Sequence, residues 1–156
     1  MIDSSLCYLI RGDEVLMMHR TRKKNDINHD KWIAVGGRFE AGETPEECAL
    51  REVKEETGLT MTDPRYRGIV TFINDRYETE RMHLFTSETF EGEMTDCDEG
   101  ELVWVRIAEM DALPQWEGDR IFHRLLKEKI PFFELELVYS DEKLLYADLN
   151  GKRLQN

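Results

Sequence analysis

The sequence predicts a single-domain α/β sandwich, on three observations. Its 156 residues match the size of one domain and suffice to bury a sizeable core. Short apolar runs, punctuated by turn residues, recur along the chain as strands do. Two longer segments carry helix signals instead, so strands and helices are mixed. No repeat, low-complexity tract or linker divides the chain, and residues 1–156 are expected to form one domain.

In chain order, residues 6–10 and 15–19 are apolar runs separated by Arg11-Gly12-Asp13-Glu14, the pattern of a hairpin. Residues 25–31 are polar and loop-like. Thr44-Pro45-Glu46-Glu47 combines a hydroxyl N-cap, proline at the first helical position and acids in the first turn. Gly58 supplies the stop, so 45–57 is a helix, and Ala49, Leu50 and Val53 form the arc expected to face the core. Residues 68–73, 82–87 and 102–107 read as strands. Residues 118–129 hold apolar side chains at 121, 122, 125 and 126, which is helical spacing. Residues 132–139 and 143–149 flank Ser140-Asp141-Glu142 and predict a terminal hairpin.

Composition narrows the function. Twenty-one basic against 33 acidic residues leave a net charge of −12. Such a surface repels phosphate backbones, so a nucleic-acid polymer is not the expected partner, and an anionic substrate would need a cation as mediator. Cys7, Cys48 and Cys97 are widely spaced, odd in number and form no CxxC pair. Neither a disulfide scaffold nor a zinc ribbon fits them. The opening MIDSSLCYLI has no basic stretch, and its longest apolar run is five residues. Without a signal segment or a membrane span, the expected location is the cytoplasm.

The segment at 45–57 carries the chemistry. Glu52, Glu55 and Glu56 fall within one arc of about 100°. Glu52 and Glu56 form a like-charge i,i+4 pair, which weakens a helix by about 0.2–0.5 kcal/mol. Arg51 can pair with Glu55, yet the carboxylates still exceed the nearby positive charge. A solvated acidic face would explain that much. A helix edge with several carboxylates is also the oxygen-ligand surface that Mg²⁺ prefers. Upstream, Gly36-Gly37 after Ile33-Ala34-Val35 lets the backbone approach a ligand closely. The interval as a whole is more specific. It reads Gly37, five residues, Glu43, seven residues, then Arg51-Glu52-Val53-Lys54-Glu55-Glu56-Thr57-Gly58-Leu59. That matches GX5EX7REUXEEXGU, with U a bulky aliphatic, and chance agreement at its fixed positions is about one in 10⁸ per window.

On these residues the sequence resembles the Nudix hydrolases, with 37–59 as the box. Further likeness is to the MutT-type 8-oxo-dGTP diphosphatases, closest to the MutX branch and the vertebrate MutT homologue. It is carried by Lys31-Trp32-Ile33, Asp98-Glu99 before Trp104, Trp116-Glu117-Gly118-Asp119, Phe132-Phe133 and Tyr146. The resemblance implies a Nudix-type α/β/α sandwich, a mixed sheet between helices. It implies Mg²⁺-dependent hydrolysis (Mn²⁺ being the alternative) of nucleoside triphosphates to monophosphate and pyrophosphate, with oxidised purine nucleotides such as 8-oxo-dGTP as substrates. Water must attack a phosphorus crowded by negative oxygens, which is why a divalent cation and a nearby carboxylate base are needed.

Carried over residue by residue, the resemblance makes Glu52, Glu55, Glu56 and the Gly36 carbonyl metal ligands. Glu52 also matches the position that activates water in several relatives, although the base varies among them. Arg51 and Glu43 resemble the pair that orients the catalytic helix. A further acidic ligand from a distant loop is implied: Glu99 matches best by its spacing from Trp104, with Asp98 and Glu101 as competitors. Simple solvation of residues 96–101 is the plain alternative. Gly36, Gly37, Arg38 and Lys23 match substrate-proximal positions, though Arg22, Lys23 and Lys24 equally suit a solvated cationic loop.

For the base, an exposed Trp116 flanked by acids suits a flat purine, with Phe72, Tyr8 and Met82 as further wall candidates. Asp119 or Glu117 would meet the base N–H groups. Guanine presents N7 as an acceptor. Oxidation at C8 turns N7 into a donor, so an acceptor there favours the damaged base. The alternative is core packing for Trp116 and a plain helix cap at 117–119. Ile33 stands where the vertebrate homologue places Asn, and Gly118 replaces the first of its paired aspartates, so the base contacts differ. The Pro of ADP-ribose hydrolases is Ile73 here, and Tyr77 falls near a position expected in diadenosine-polyphosphate hydrolases. A hydrolase of another dinucleotide or nucleotide sugar is therefore the competing enzyme. A non-catalytic nucleotide-binding module is the competing class, and the full set of glutamates counts against it. His19, His29, His83 and His123 show no metal-ligand spacing and read as structural or surface residues. The expected partner is a small nucleotide, handled by a monomer or small homo-oligomer.

Overall fold

The computed structural model describes residues 1–23 and 25–155. Lys24 of the cationic loop lies outside the described residues. A hairpin opens the chain: β1 (Ile2–Arg11) turns at Gly12-Asp13 into β2 (Glu14–Arg20). They pair only at Ile10↔Val15 and Arg11↔Glu14, then separate. Beyond that point β1 runs parallel to β6 (Glu80–Ser87), while β2 pairs antiparallel with β8 (Gly100–Arg106).

The gap between β1 and β2 is filled by residues 32–38. The first of these form β3 (Trp32–Ile33) against the end of β2. The rest run antiparallel along β1, where Cys7 N–H donates to the Val35 carbonyl at 2.7 Å and Ser5 N–H to the Gly37 carbonyl at 2.8 Å. This short crossing places the two glycines at the parting of the strands.

The larger sheet continues through β5 (Arg65–Asn74), β9 (Phe133–Ser140), β10 (Lys143–Leu149) and β11 (Lys152–Arg153). The β5–β9 pair is parallel like β1–β6, so the sheet is mixed. A separate two-stranded sheet joins β4 (Thr60–Thr62) to β7 (Thr89–Glu91). These short strands, β3 and β11 carry too little periodicity to be read from sequence. Ile107, expected to end a strand, instead opens a 3-10 segment (Ile107–Ala112), its N–H bound by the Asp13 carbonyl.

Helix α1 (Pro45–Thr57) has the cap that its sequence predicts. Thr44 Oγ1 accepts from Glu47 N–H at 3.1 Å and Glu47 returns the bond to Thr44 N–H at 2.9 Å. Helix α2 (Asp119–Lys127) is shorter than the expected span. Alternate residues of β1 face opposite layers, as strand geometry requires. Leu6 and Tyr8 join Phe122 and Leu125 of α2 on one side, and Cys7 and Leu9 join Ala49 and Val53 of α1 on the other. The architecture is the expected α/β/α sandwich. No helix of the described residues is long and apolar enough to cross a membrane.

One expectation for α1 is corrected. Leu50 is 36% exposed, whereas Cys48, Glu56 and Thr57 are buried beside Ala49 and Val53. At about 100° per residue, Glu56 stands roughly 20° from Ala49 and Leu50 roughly 100° away. The centre of the buried face therefore carries a glutamate. That placement builds the site.

Candidate active site

Residues 34–38 run in extended conformation along β1, so alternate peptide groups turn away from it. Gly36 N–H donates to Glu56 Oε1 at 2.7 Å. Among the described residues the Gly36 carbonyl takes no hydrogen bond. Gly37 leaves room for Glu52: a Cβ there would lie 2.4 Å from Glu52 Cδ and push the carboxylate aside. The glycine pair thus lets two α1 carboxylates lie against backbone.

Arg51 orders the outer part of the helix. Its Nε and Nη2 donate to both oxygens of Glu43 at 2.6 and 2.9 Å, a bidentate pair. Nη1 reaches Glu52 at 2.7 Å and Glu55 at 3.1 Å. The fork from Arg51, followed by the Glu40 N–H, holds the Glu43 carboxyl down at about 2. Glu55 is turned outward, 58% exposed, so the structure places it on Arg51 rather than beside Glu56.

Glu56 faces Glu99 from the segment before β8. Burial first, then the hydrogen bond shared with Glu99, pushes the Glu56 carboxyl up to about 9. Burial also raises Glu52, against the opposing pull of Arg51. Glu99 is held by Arg20 Nη1 at 3.1 Å, and Arg20 Nε is bound to Asp26 at 2.7 Å. Asp98 is exposed, and Glu101 lies exposed on β8 opposite His19. Of the three loop acids, the structure brings Glu99 to the helix.

Does a divalent cation fit here? The donors are hard oxygens: the Glu52, Glu56 and Glu99 carboxylates and the free Gly36 carbonyl. Glu56 meets the Glu99 carboxylate with too little positive charge nearby, which adds to burial in pushing the Glu56 carboxyl up, a condition that a cation relieves. Among the described residues no three His, Cys, Asp or Glu side chains already stand at ligand spacing. The chemistry of the set nevertheless suits a hard divalent cation and disfavours a softer metal.

A cleft of about 500 Å³ extends from these carboxylates across the α2 side of the sheet. Gly36, Gly37, Arg38, Lys23 and Arg20 line its charged end. Ile27, Ile33, Phe72, Met82, Trp116 and Asp119 line the remainder. Arg20, Asp26, Ile27 and Asn28 are site residues that sequence reading missed, because only the strand end and the following turn bring them there.

Trp116 is not the exposed indole expected. It is 6% exposed, edge-on to Phe72 and Tyr139, with Nε1–H bound to Asn28 Oδ1 at 2.8 Å. Lys31 Nζ sits 4.6 Å from its ring centroid. The residue packs into the core and forms a cleft wall at once. Glu117 is exposed and accepts from Leu144 N–H at 3.3 Å, so it does not line the cleft. Tyr8 also lies elsewhere, buried against His123 at 2.9 Å, and Tyr77 is exposed on the β5–β6 turn.

Asp119 is buried in the cleft wall, and among the described residues its carboxyl has no hydrogen-bond or ionic partner. Burial pushes it up to about 8 despite Arg120 and Lys31 nearby. A side chain on Gly118 would collide with Leu137 and Tyr139, since an added Cβ lies 2.6 Å from Leu137 Cδ1. Packing thus excludes a second acid at that position.

Residues 2–126 match the NUDIX domain family. The chain is 31% identical over 118 residues to an uncharacterized Nudix hydrolase, YvcI, of Bacillus subtilis, covering 72% of this chain and 71% of that one. It is 34% identical over 112 residues to the oxidized purine nucleoside triphosphate hydrolase of Danio rerio, covering 70% and 71%. Among solved structures, a mutator MutT protein from Bacillus halodurans superposes with a TM-score of 0.86 at 28% identity, covering 97% of this chain and 99% of that one.

Proposed function

This chain belongs to the Nudix hydrolase family, and we propose that it hydrolyses purine nucleoside triphosphates to monophosphate and pyrophosphate with Mg²⁺ or Mn²⁺, oxidised guanine nucleotides foremost. One arrangement carries the reading. Glu52 and Glu99 line one end of a cleft, with Glu56 buried behind them against Gly36 N–H, and the other wall is aromatic and bears a buried Asp119 without a partner among the described residues. The named activity of the Danio rerio relative points the same way.

In this reading Glu52, Glu56, Glu99 and the Gly36 carbonyl hold the cation, with Glu55 at the rim. A bound divalent cation neutralises phosphate charge and lowers the pKa of its water. Arg51 fixes Glu52 and Glu43 so that the carboxylate edge keeps its shape. Burial gives Glu52 a raised proton affinity, which suits it to take a proton from the attacking water. Arg38 and Lys23 stand at the charged end to receive phosphate oxygens.

Asp119 supplies base discrimination. With its carboxyl pushed up to about 8, it holds a proton at neutral pH and offers one donor beside one acceptor. 8-Oxoguanine presents O6 as an acceptor next to N7–H as a donor, the complementary pair. Undamaged guanine places the N7 acceptor against the same acceptor oxygen. The role is that of a single cytoplasmic domain, over 1–156, that clears damaged nucleotides before their use in DNA.

The test is a panel of 8-oxo-dGTP, dGTP, dATP, a dinucleoside polyphosphate and a nucleotide sugar, each with Mg²⁺ and with Mn²⁺. Pyrophosphate release, fastest on 8-oxo-dGTP and abolished by EDTA, is expected. Orthophosphate as product, or a preference for the dinucleotide, would overturn the assignment.

A further inference from the structure

We infer that Glu80 is a second base-reading carboxylate, which makes the cleft selective for purines presenting N1–H beside an exocyclic 2-amino group. The inference rests on the purine-nucleotide reading above. Five acids line the cleft: Asp26, Glu52, Glu80, Glu99 and Asp119. Asp26 and Glu99 are paired with Arg20, and Glu52 with Arg51. Among the described residues Glu80 and Asp119 have no cationic partner.

The strand dictates where Glu80 stands. Side chains alternate along β6, so Glu80 shares a face with Met82, a cleft-wall residue, while Arg81 between them turns to Asp3 at 2.9 Å. Ser4 of the parallel neighbour β1 donates to Glu80 Oε2 at 2.6 Å. That bond holds the rotamer and uses one lone pair. A carboxylate offers about four acceptor positions, so Oε1 and part of Oε2 stay available. A half-buried carboxylate without a cation is costly unless something donates to it.

The guanine Watson–Crick edge supplies N1–H and N2–H side by side, a two-donor fork that suits two carboxylate oxygens. Hypoxanthine keeps N1–H and lacks the amine, and adenine sets an acceptor beside its amine. With Asp119 on the O6/N7 edge, Glu80 would take the adjacent edge of the same ring.

Binding of dGMP and dIMP to the full chain, measured by calorimetry, tests this without turnover. The two nucleotides differ only by the 2-amino group. The wild type is expected to hold dGMP about ten-fold tighter, the worth of one charge-assisted hydrogen bond. Glu80→Gln keeps the size and the acceptor for Ser4 but exchanges one acceptor oxygen for a donor. It should bring the two ligands within about two-fold by weakening dGMP more than dIMP, which loses only the charge assistance of its N1–H bond. Equal loss for both nucleotides would assign Glu80 to the sugar or the fold and overturn the inference. An unchanged preference in a variant that still binds dGMP would overturn the role of Glu80 alone. Failure of the wild type to bind either nucleotide would overturn the purine reading together with it.

Discussion

Asp119→Asn should stabilise the ligand-free protein, by an amount that grows with pH. The Asp119 carboxyl goes from 3.8 in the unfolded chain to about 8 in the folded one, because burial disfavours its charge. The native state therefore binds the extra proton, and stability falls as pH rises from 3.8 towards 8. At about 1.36 kcal/mol per pH unit, the cost approaches 3 kcal/mol at pH 6 and levels off between 5 and 6 kcal/mol above pH 8. Asparagine has the same shape and never charges, so it escapes this cost. The gap in Tm between variant and wild type should widen by roughly 5–10 °C from pH 6 to pH 9, at about 2–4 °C per kcal/mol for a domain of this size. Differential scanning fluorimetry across that range measures it. Parallel Tm curves for the two proteins would refute the reasoning, since they would mean that Asp119 reaches water or a partner. The same variant offers one donor beside one acceptor, as the protonated acid does, so its preference for 8-oxo-dGTP over dGTP should survive, whereas Asp119→Leu, which offers neither, should lose it.

The other expectations concern the charged end and the wall. Glu56→Gln should cut turnover by at least 10²-fold while raising the Tm of the apo protein, because a buried carboxyl pushed up to about 9 is replaced by a neutral group; a melt and a pyrophosphate assay on one preparation decide it. Glu99→Gln should reduce turnover or shift the metal requirement, whereas Glu101→Gln, exposed on β8, should leave both unchanged in a metal titration. Gly37→Ala drives a Cβ into the Glu52 carboxylate at 2.4 Å, so activity should fall far more than the melting temperature. Trp116→Ala removes a side chain that is 6% exposed and should cost about 3–5 kcal/mol of stability, so Trp116→Phe is the variant whose Michaelis constant reports on base contact.

Local signals determined much of this protein. The Thr44-Pro45 start and Gly58 stop delimit α1 because capping is settled within a few residues of each end. The alternating runs locate the long strands because the two-residue period needs no distant partner to be seen. The spacing from Gly37 to Leu59 marks the family because it records a loop and a helix that are contiguous in the chain. What only the tertiary structure decided depends on how far apart elements meet. Leu50 and Glu56 exchange their expected places because the direction from which β1 packs against α1 selects the buried arc. Glu99 rather than Glu101 reaches Glu56 because β8 pairs with β2 in one register, which sets the preceding loop over the helix. Trp116 is buried rather than exposed because Phe72, Tyr139 and Asn28, each more than 20 residues away, close around it. Glu80 and Ser4 become neighbours only through the parallel pairing of β6 with β1, an association that no local pattern of either strand contains.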